Sequence, residues 1–256
     1  MVTNRFAIRE AAIASFYDVL PDASERLSVR LDTLKMTDIA HAAATVYARG
    51  GIGNPRLVGF SGDKDVAVTI QDALFTTDSL AMLNGVEVTH DAQTIHRVDT
   101  IKIDTNDATT TKKLVELISV RVLDDFFFPV KYVDNTAITV AGETLTFDPS
   151  LNGKYVEIAY KTTIPKDKNN TFTVSSSHFG GTKKMVIDVI VRDSHTGNDY
   201  SGQLIADRVK IEEDFTFSFA PDGDPSVLDI PVQILKSPVG TDMYKLVLFN
   251  ADDIEE

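Results

Sequence analysis

Five histidines, at 41, 90, 96, 178 and 195, are the side chains of this 256-residue chain best suited to ligate a metal or move a proton near neutral pH. No two stand at the i, i+4 spacing of a helical zinc site, and no carboxylate cluster accompanies them. His90-Asp91 and His96 could line one strand, but solvated loop positions are the better reading. The chain has no cysteine, which removes disulfides, thiolate zinc sites and a cysteine nucleophile. Gly50–Gly53 is not a phosphate cradle, because it lacks the lysine-threonine ending and leads into a strand instead of a helix. Asp63-Lys64-Asp65 and Asp222-Gly223-Asp224 are fragments of calcium loops without the ligand count or the distal glutamate. Glu212-Glu213-Asp214 offers carboxylates for acid–base work, but adjacent strand positions point to opposite faces. The expectation is a protein that is no enzyme and holds no cofactor or metal.

The elements must then carry the meaning. A charge of −13, from 25 basic and 38 acidic residues, leaves no basic footprint for reading nucleic acid. The acidity serves either solubility or a surface that does not hold polyanions. Hydrophobic content of 43% suits a globular core. No apolar run approaches the roughly 18 residues of a membrane-spanning helix. Arg5, Arg9 and Glu10 interrupt any signal core, so folding in a cytoplasm is expected. The length allows one large β domain or two modest ones.

Thr45 to Gly85 reads as two long strands joined by a Gly-rich loop, then a short capped helix. Gly50-Gly51-Ile52-Gly53-Asn54-Pro55 cannot sit inside a sheet without loss of ladder bonds. Arg56-Leu57-Val58-Gly59-Phe60 resumes the strand, and Ser61-Gly62-Asp63 reads as a turn. Lys64 to Ala73 alternates, with Val66, Val68 and Ile70 inward. Thr76 or Thr77 can cap a helix whose dipole Asp78 complements, and Gly85 suits the residue past its end. Leu80 and Leu83 would form its buried stripe.

Upstream, residues 5–14 fit helix or strand, and Ser15 to Leu20 favours strand. Pro21-Asp22-Ala23-Ser24 turns the chain into a strand from Leu27 to Ile39, which makes a hairpin. Downstream, Val86 to Asp104 and Leu114 to Leu123 read as strands, and Phe126-Phe127-Phe128-Pro129 should anchor a core or a subunit contact. Short strands follow at Val130–Val133, Ala137–Val140, Glu143–Phe147 and Tyr155–Lys161. They fit either an inserted β subdomain, at about 105–162, or part of one barrel. Ile164 to Asn170 is the best linker. Met185 to Arg192 has the pattern of a central strand, His195 to Asp199 of a hairpin turn. Asp214 to Phe219 alternates strictly, Pro221 to Pro225 is a turn, Pro231 argues for an edge or bulge, and Asp252 to Glu256 is a solvated tail.

The order YARGG…GNPRLVGFSGDKDVAVTIQDALF, then SLAMLNG, resembles the core of bacteriophage tail tube (major tail) proteins. The run from Met185, with HTGND, RVKIEEDFTFSF and DGDPSVLDIPVQIL, resembles the final strands of that family. The two blocks cover about half the chain. The resemblance implies a mainly β fold over 1–256, an antiparallel barrel or sandwich with a short flanking helix. It implies hexameric rings stacked into a tube in the virion, assembled in the host cytoplasm. A tape-measure protein and double-stranded DNA would pass through the lumen. Tail sheath, tail terminator and baseplate proteins are further partners, and no membrane contact is implied. On this reading Gly50, Gly51, Gly53 and Asn54, with Arg49 and Arg56, reach an adjacent subunit or ring and bond to carboxylates. Asp63, Asp65, Asp72 and Glu87 are candidates for the lumen wall, although the parity of Asp72 matches the inward face unless the strand has ended there. Another self-assembling tail or baseplate protein, or a carbohydrate-binding β-sandwich, would show some of the same patterns.

Overall fold

The computed structural model describes residues 5–215 and 227–250. Extended backbone dominates, with 58% strand and 6% helix, as branched and aromatic content with period-two alternation requires. The chain opens with β1 (Phe6–Val19), β2 (Glu25–Leu31), β3 (Leu34–Arg49) and β4 (Arg56–Asp72). The helix α1 (Thr77–Leu83) comes next. Then follow β5 (Gln93–Lys102), β6 (Asp107–Thr109), β7 (Glu116–Leu123) and β8 (Pro129–Val133). After these come β9 (Thr139–Ala141), β10 (Thr144–Thr146) and β11 (Tyr155–Ile164). The chain closes with β12 (Thr182–Asp193), β13 (Asp199–Ile211), β14 (Leu228–Ile234) and β15 (Lys245–Phe249). All strand pairings among the described residues are antiparallel, and the fold is of the mainly β sandwich class.

Two compact units divide the chain, one of residues up to Val88 and from Phe172 on, the other Thr89–Thr171. The first holds the eight-stranded sheet, in the order β2-β1-β12-β13-β14-β4-β3, with β15 also on β13. Its core gathers Phe16, Val68, Ile70, Met185, Ile187, Ile211 and Ile230, with Met82 and Leu83 of the helix. A helix of seven residues is stable only through such packing. Its punctuation matches the sequence: Thr76 accepts from the Ser79 N–H, Ser79 returns the bond to the Thr76 backbone, and Gly85 has a φ of 61°. Leu83 is buried, whereas Leu80 is only half-buried and Met82 takes its share of the stripe.

The second unit packs β5-β11-β7-β8 and β6-β10-β9 around Val120, Leu145, Phe147, Ile158 and Tyr160. Charge is spread unevenly along the sequence. Residues 89–171 carry 10 Lys and Arg against 12 Asp and Glu, leaving 15 against 26 for the rest.

Folding decides between helix and strand for residues 6–14: they are strand, because β12 pairs with them from Phe6↔Asp193 to Ala14↔Ile187. Several other expectations change. Leu27 to Ile39 is two strands. The chain breaks at Asp32 and Thr33, where the Thr33 hydroxyl donates to Asp72. Ser61-Gly62-Asp63 does not turn the chain. β3 and β4 stay paired on both sides of it, Ala43↔Lys64 and Thr45↔Ser61, so the extra residue is absorbed as a bulge. Pro231 lies within a strand flanked on both sides. Its missing N–H is tolerated because pairing to β13 ends at Val232, beyond which the Pro231 carbonyl accepts the Glu212 N–H. The β12 strand is central, yet Val186 and Ile190 on its second face are only half-buried. Most of the Asp214–Phe219 alternation, the Pro221–Pro225 turn and the Asp252–Glu256 tail fall outside the described residues.

Candidate assembly interface

The β3–β4 hairpin has a base and an overhang. From Val66 to Asp72 the second strand pairs with β3 on one edge and β14 on the other, and residues 66, 68, 70 and 72 are buried. From Arg56 to Asp65 it pairs with β3 alone, and every residue is exposed. Ladder hydrogen bonds are therefore satisfied along the overhang while both of its faces stay open.

Cross-strand register sorts those faces, since directly opposed residues share a side. Val46 opposes Phe60 and Ala48 opposes Val58, which makes one face apolar. Phe60 is 60% exposed there. Alternation on β3 adds Ala40, Ala42 and Ala44 to that side. The other face carries Tyr47, Arg49 and Arg56. The Arg56 guanidinium lies 4.3 Å from the Tyr47 ring centroid, a cation–π contact. Gly59 opposes Tyr47, and a Cβ there would lie 3.1 Å from its ring. Glycine is thus what allows the tyrosine to lie flat across the strand.

At the tip Arg49 and Arg56 oppose one another directly, and neither forms an ion pair among the described residues. Two like charges in register are mutually destabilising unless a carboxylate from elsewhere meets them. Gly51 and Gly53 have φ of 84° and 83°, and Asn54 has 49°, so the tip needs residues that tolerate the left-handed region. Ile52 stands fully in solvent. The sequence picks out the two arginines and the loop. The apolar face escapes it, because Val46, Val58 and Phe60 look like core residues until the register puts them beyond the core.

The acidic candidates separate. Asp63, in the bulge, Asp65, beside Ala42, and Glu87, after the helix, are exposed. Asp72 is 1% exposed and accepts the Thr33 hydroxyl, so it is removed from any open wall. Inward parity persists because the strand continues to that residue.

An open groove of about 1150 Å³ at the base of the overhang is lined by His41, Lys64, Asp65, Glu212, Lys236 and Tyr244. His41 Nε2 is 3.1 Å from the Tyr244 hydroxyl. All five histidines are exposed, but His41 and His96 lie on strands instead of loops. Among the described residues no three His, Asp or Glu side chains converge as a metal cage. None of the described helices is long and apolar enough to cross a membrane. The Phe126–Phe128 run, expected to anchor a core or a contact, is exposed in this chain.

Comparison with known proteins gives one family. The model of the YomU/Tube protein family matches residues 6–246, which takes in the hairpin, the helix and the second unit alike. No curated protein matches the chain. The chain therefore belongs to the YomU/Tube protein family, a family of phage tail tube structural proteins.

Proposed function

We propose that copies of this chain close into hexameric rings which stack into the tube of a phage tail. The observation that carries this reading is the hairpin overhang, apolar on one face and cationic at its tip, which the described residues of its own chain leave uncovered. A monomer gains nothing from so much exposed Val and Phe. A neighbour that covers the apolar face buries it, and a carboxylate that meets Arg49 and Arg56 relieves their repulsion. Gly50, Gly51, Gly53 and Asn54 give the tip the backbone freedom to reach an adjacent subunit or ring. A heterologous contact of this kind closes a ring and leaves the axis free for stacking, and it removes the open edge of β3.

Asp63, Asp65 and Glu87 are assigned to the lumen wall, Asp65 at the lower edge of the apolar side, below the Val46–Phe60 and Ala48–Val58 pairs that the neighbour covers. Like charge on wall and DNA lets the duplex slide instead of sticking. A tape-measure protein occupies the lumen before DNA does. Sheath, terminator and baseplate proteins meet the tube, which assembles in the host cytoplasm, works in the virion and catalyses nothing. The whole chain is one tail-tube domain with an inserted β subdomain, the Thr89–Thr171 unit.

Size-exclusion chromatography and negative-stain microscopy of the purified chain test the reading. Tubes or six-fold rings are expected. Persistent monomers at high concentration, or an assembly of other symmetry, overturn it. Reversing charge with Asp63→Lys and Asp65→Lys should slow DNA ejection, and unchanged ejection would return these residues to plain solvent.

A further inference from the structure

We propose that the outer face of the four-stranded sheet in the Thr89–Thr171 unit is a glycan-binding site for a neutral, pyranose-based polysaccharide. The register brings its parts together. Glu157 opposes Arg121, and Arg121 opposes Tyr132, so these three stand in a row on one face of β11, β7 and β8. Tyr155, two residues before Glu157, is on the same side of β11, about 7 Å along the strand. Tyr132 is 70% exposed and Phe126, at the adjoining hairpin tip, 80%. Phe127 meets Tyr155 with ring centroids 4.9 Å apart and planes at 58°.

This aromatic pair is held in place. Phe127 has a φ of 64°, a conformation that bulky residues rarely adopt. Asp124 fixes it: its Oδ1 accepts the N–H of Phe126 at 2.9 Å and of Phe128 at 2.8 Å, and its carbonyl accepts the N–H of Phe127 at 3.0 Å. Core packing gives no reason for that strain, because Phe127 remains more than half exposed. Its effect is to set one ring against another in solvent before any ligand arrives.

Between the rings lies the polar part. Arg121 Nε donates to Glu157 Oε1 at 3.0 Å and Nη2 donates to the same oxygen. Glu157 Oε2 and the Tyr155 hydroxyl take no hydrogen-bond partner among the described residues. A pyranose offers C–H faces that lie on aromatic rings and equatorial hydroxyls that bond to carboxylate and guanidinium. Charge selects among ligands. The unit is nearly balanced, at 10 basic to 12 acidic residues, and the groove beside Tyr155 is balanced too, lined by Asp124 and Asp125 and by Lys102 and Lys154. Neither sign of charge dominates the site, and a neutral ligand fits. A second copy of the chain fits poorly, since covering the Arg121–Glu157 pair with protein costs its hydration, whereas sugar hydroxyls replace the lost water.

Affinity electrophoresis of the full chain through native gels containing dextran, galactomannan, glucomannan or hydroxyethylcellulose tests the site. At least one polymer should retard the native chain. Tyr132→Ala and Glu157→Gln, each checked by circular dichroism, should each weaken that binding by about tenfold. The chain lacking Gly51–Asn54, which runs as protomers, should be retarded by the same polymer, so failure of the tube reading and failure of this one are separable. Three results would overturn the site: no retardation by any polymer, retardation of either variant equal to that of the native chain, or a dimer that Tyr132→Ala dissolves. Flotation with neutral phosphatidylcholine vesicles, lost in Tyr132→Ala, would reassign the face to lipid and also overturn it.

Discussion

The base and the overhang of the β3–β4 hairpin are made of the same two strands, yet they are put to different uses. At the base, Val66, Val68 and Ile70 point into a core shared with β14, and each alternate residue faces outward. Along the overhang the alternation continues between an apolar side and a cationic one, with neither side covered. The difference teaches that a periodic pattern reports where a side chain points and not what it meets. Folding energy comes from the base. The overhang keeps its apolar surface for another copy.

The comparison breaks most plainly if the two halves respond alike to mutation. Ile70→Ala should lower folding stability by about 2–5 kcal/mol in chemical denaturation, because it opens a cavity at a fully buried site. The pair Val46→Ser and Phe60→Ser should move stability by less than about 0.5 kcal/mol, yet abolish assembly as seen by sedimentation. A large loss of stability from the overhang pair would place it in the folding core and end the distinction.

The second unit supplies a control outside the hairpin. Asp99 is buried, which alone would raise its pKa. The N–H of Thr111, the hydroxyls of Tyr160 and Thr111 and the charge of Arg97 together hold it below the usual carboxylate range. A depressed carboxylate stabilises the fold above its unfolded pKa of about 3.9 and loses that contribution as pH falls through the folded value. Tyr160→Phe should therefore cost about 1–2 kcal/mol at neutral pH and start acid unfolding at a higher pH. Assembly of the folded protein should be unchanged. The smallest effect is expected at the helix, where Thr76→Ala removes the cap and should cost about 1 kcal/mol, read as a modest drop in melting temperature.

Local chemistry made part of this legible in advance. The helix from Thr77 to Leu83 could be placed because Thr76 and Gly85 punctuate it by side-chain and backbone rules that need no tertiary partner. The hairpin tip could be placed because Gly51, Gly53 and Asn54 suit positive φ. Pairing decided the rest. Residues 6–14 are Ala-rich and fit a helix, but β12 offers them a ladder. Ser61-Gly62-Asp63 has the composition of a turn, and only a continuous β3 opposite it makes it a bulge. Phe126 to Phe128 look like core in sequence, whereas an Asp124-centred turn turns them to solvent. Of the candidate wall residues, Asp72 was distinguishable from Asp63 and Asp65 only by where the strand ends, a tertiary fact.

The central claim is that the overhang is finished by a neighbouring copy. Negative-stain microscopy of the chain lacking Gly51–Asn54, beside the intact chain at equal concentration, tests it most directly. Tubes from the intact chain and folded, unassembled protomers from the deletion are expected. Tubes of normal length and diameter from the deletion would contradict it.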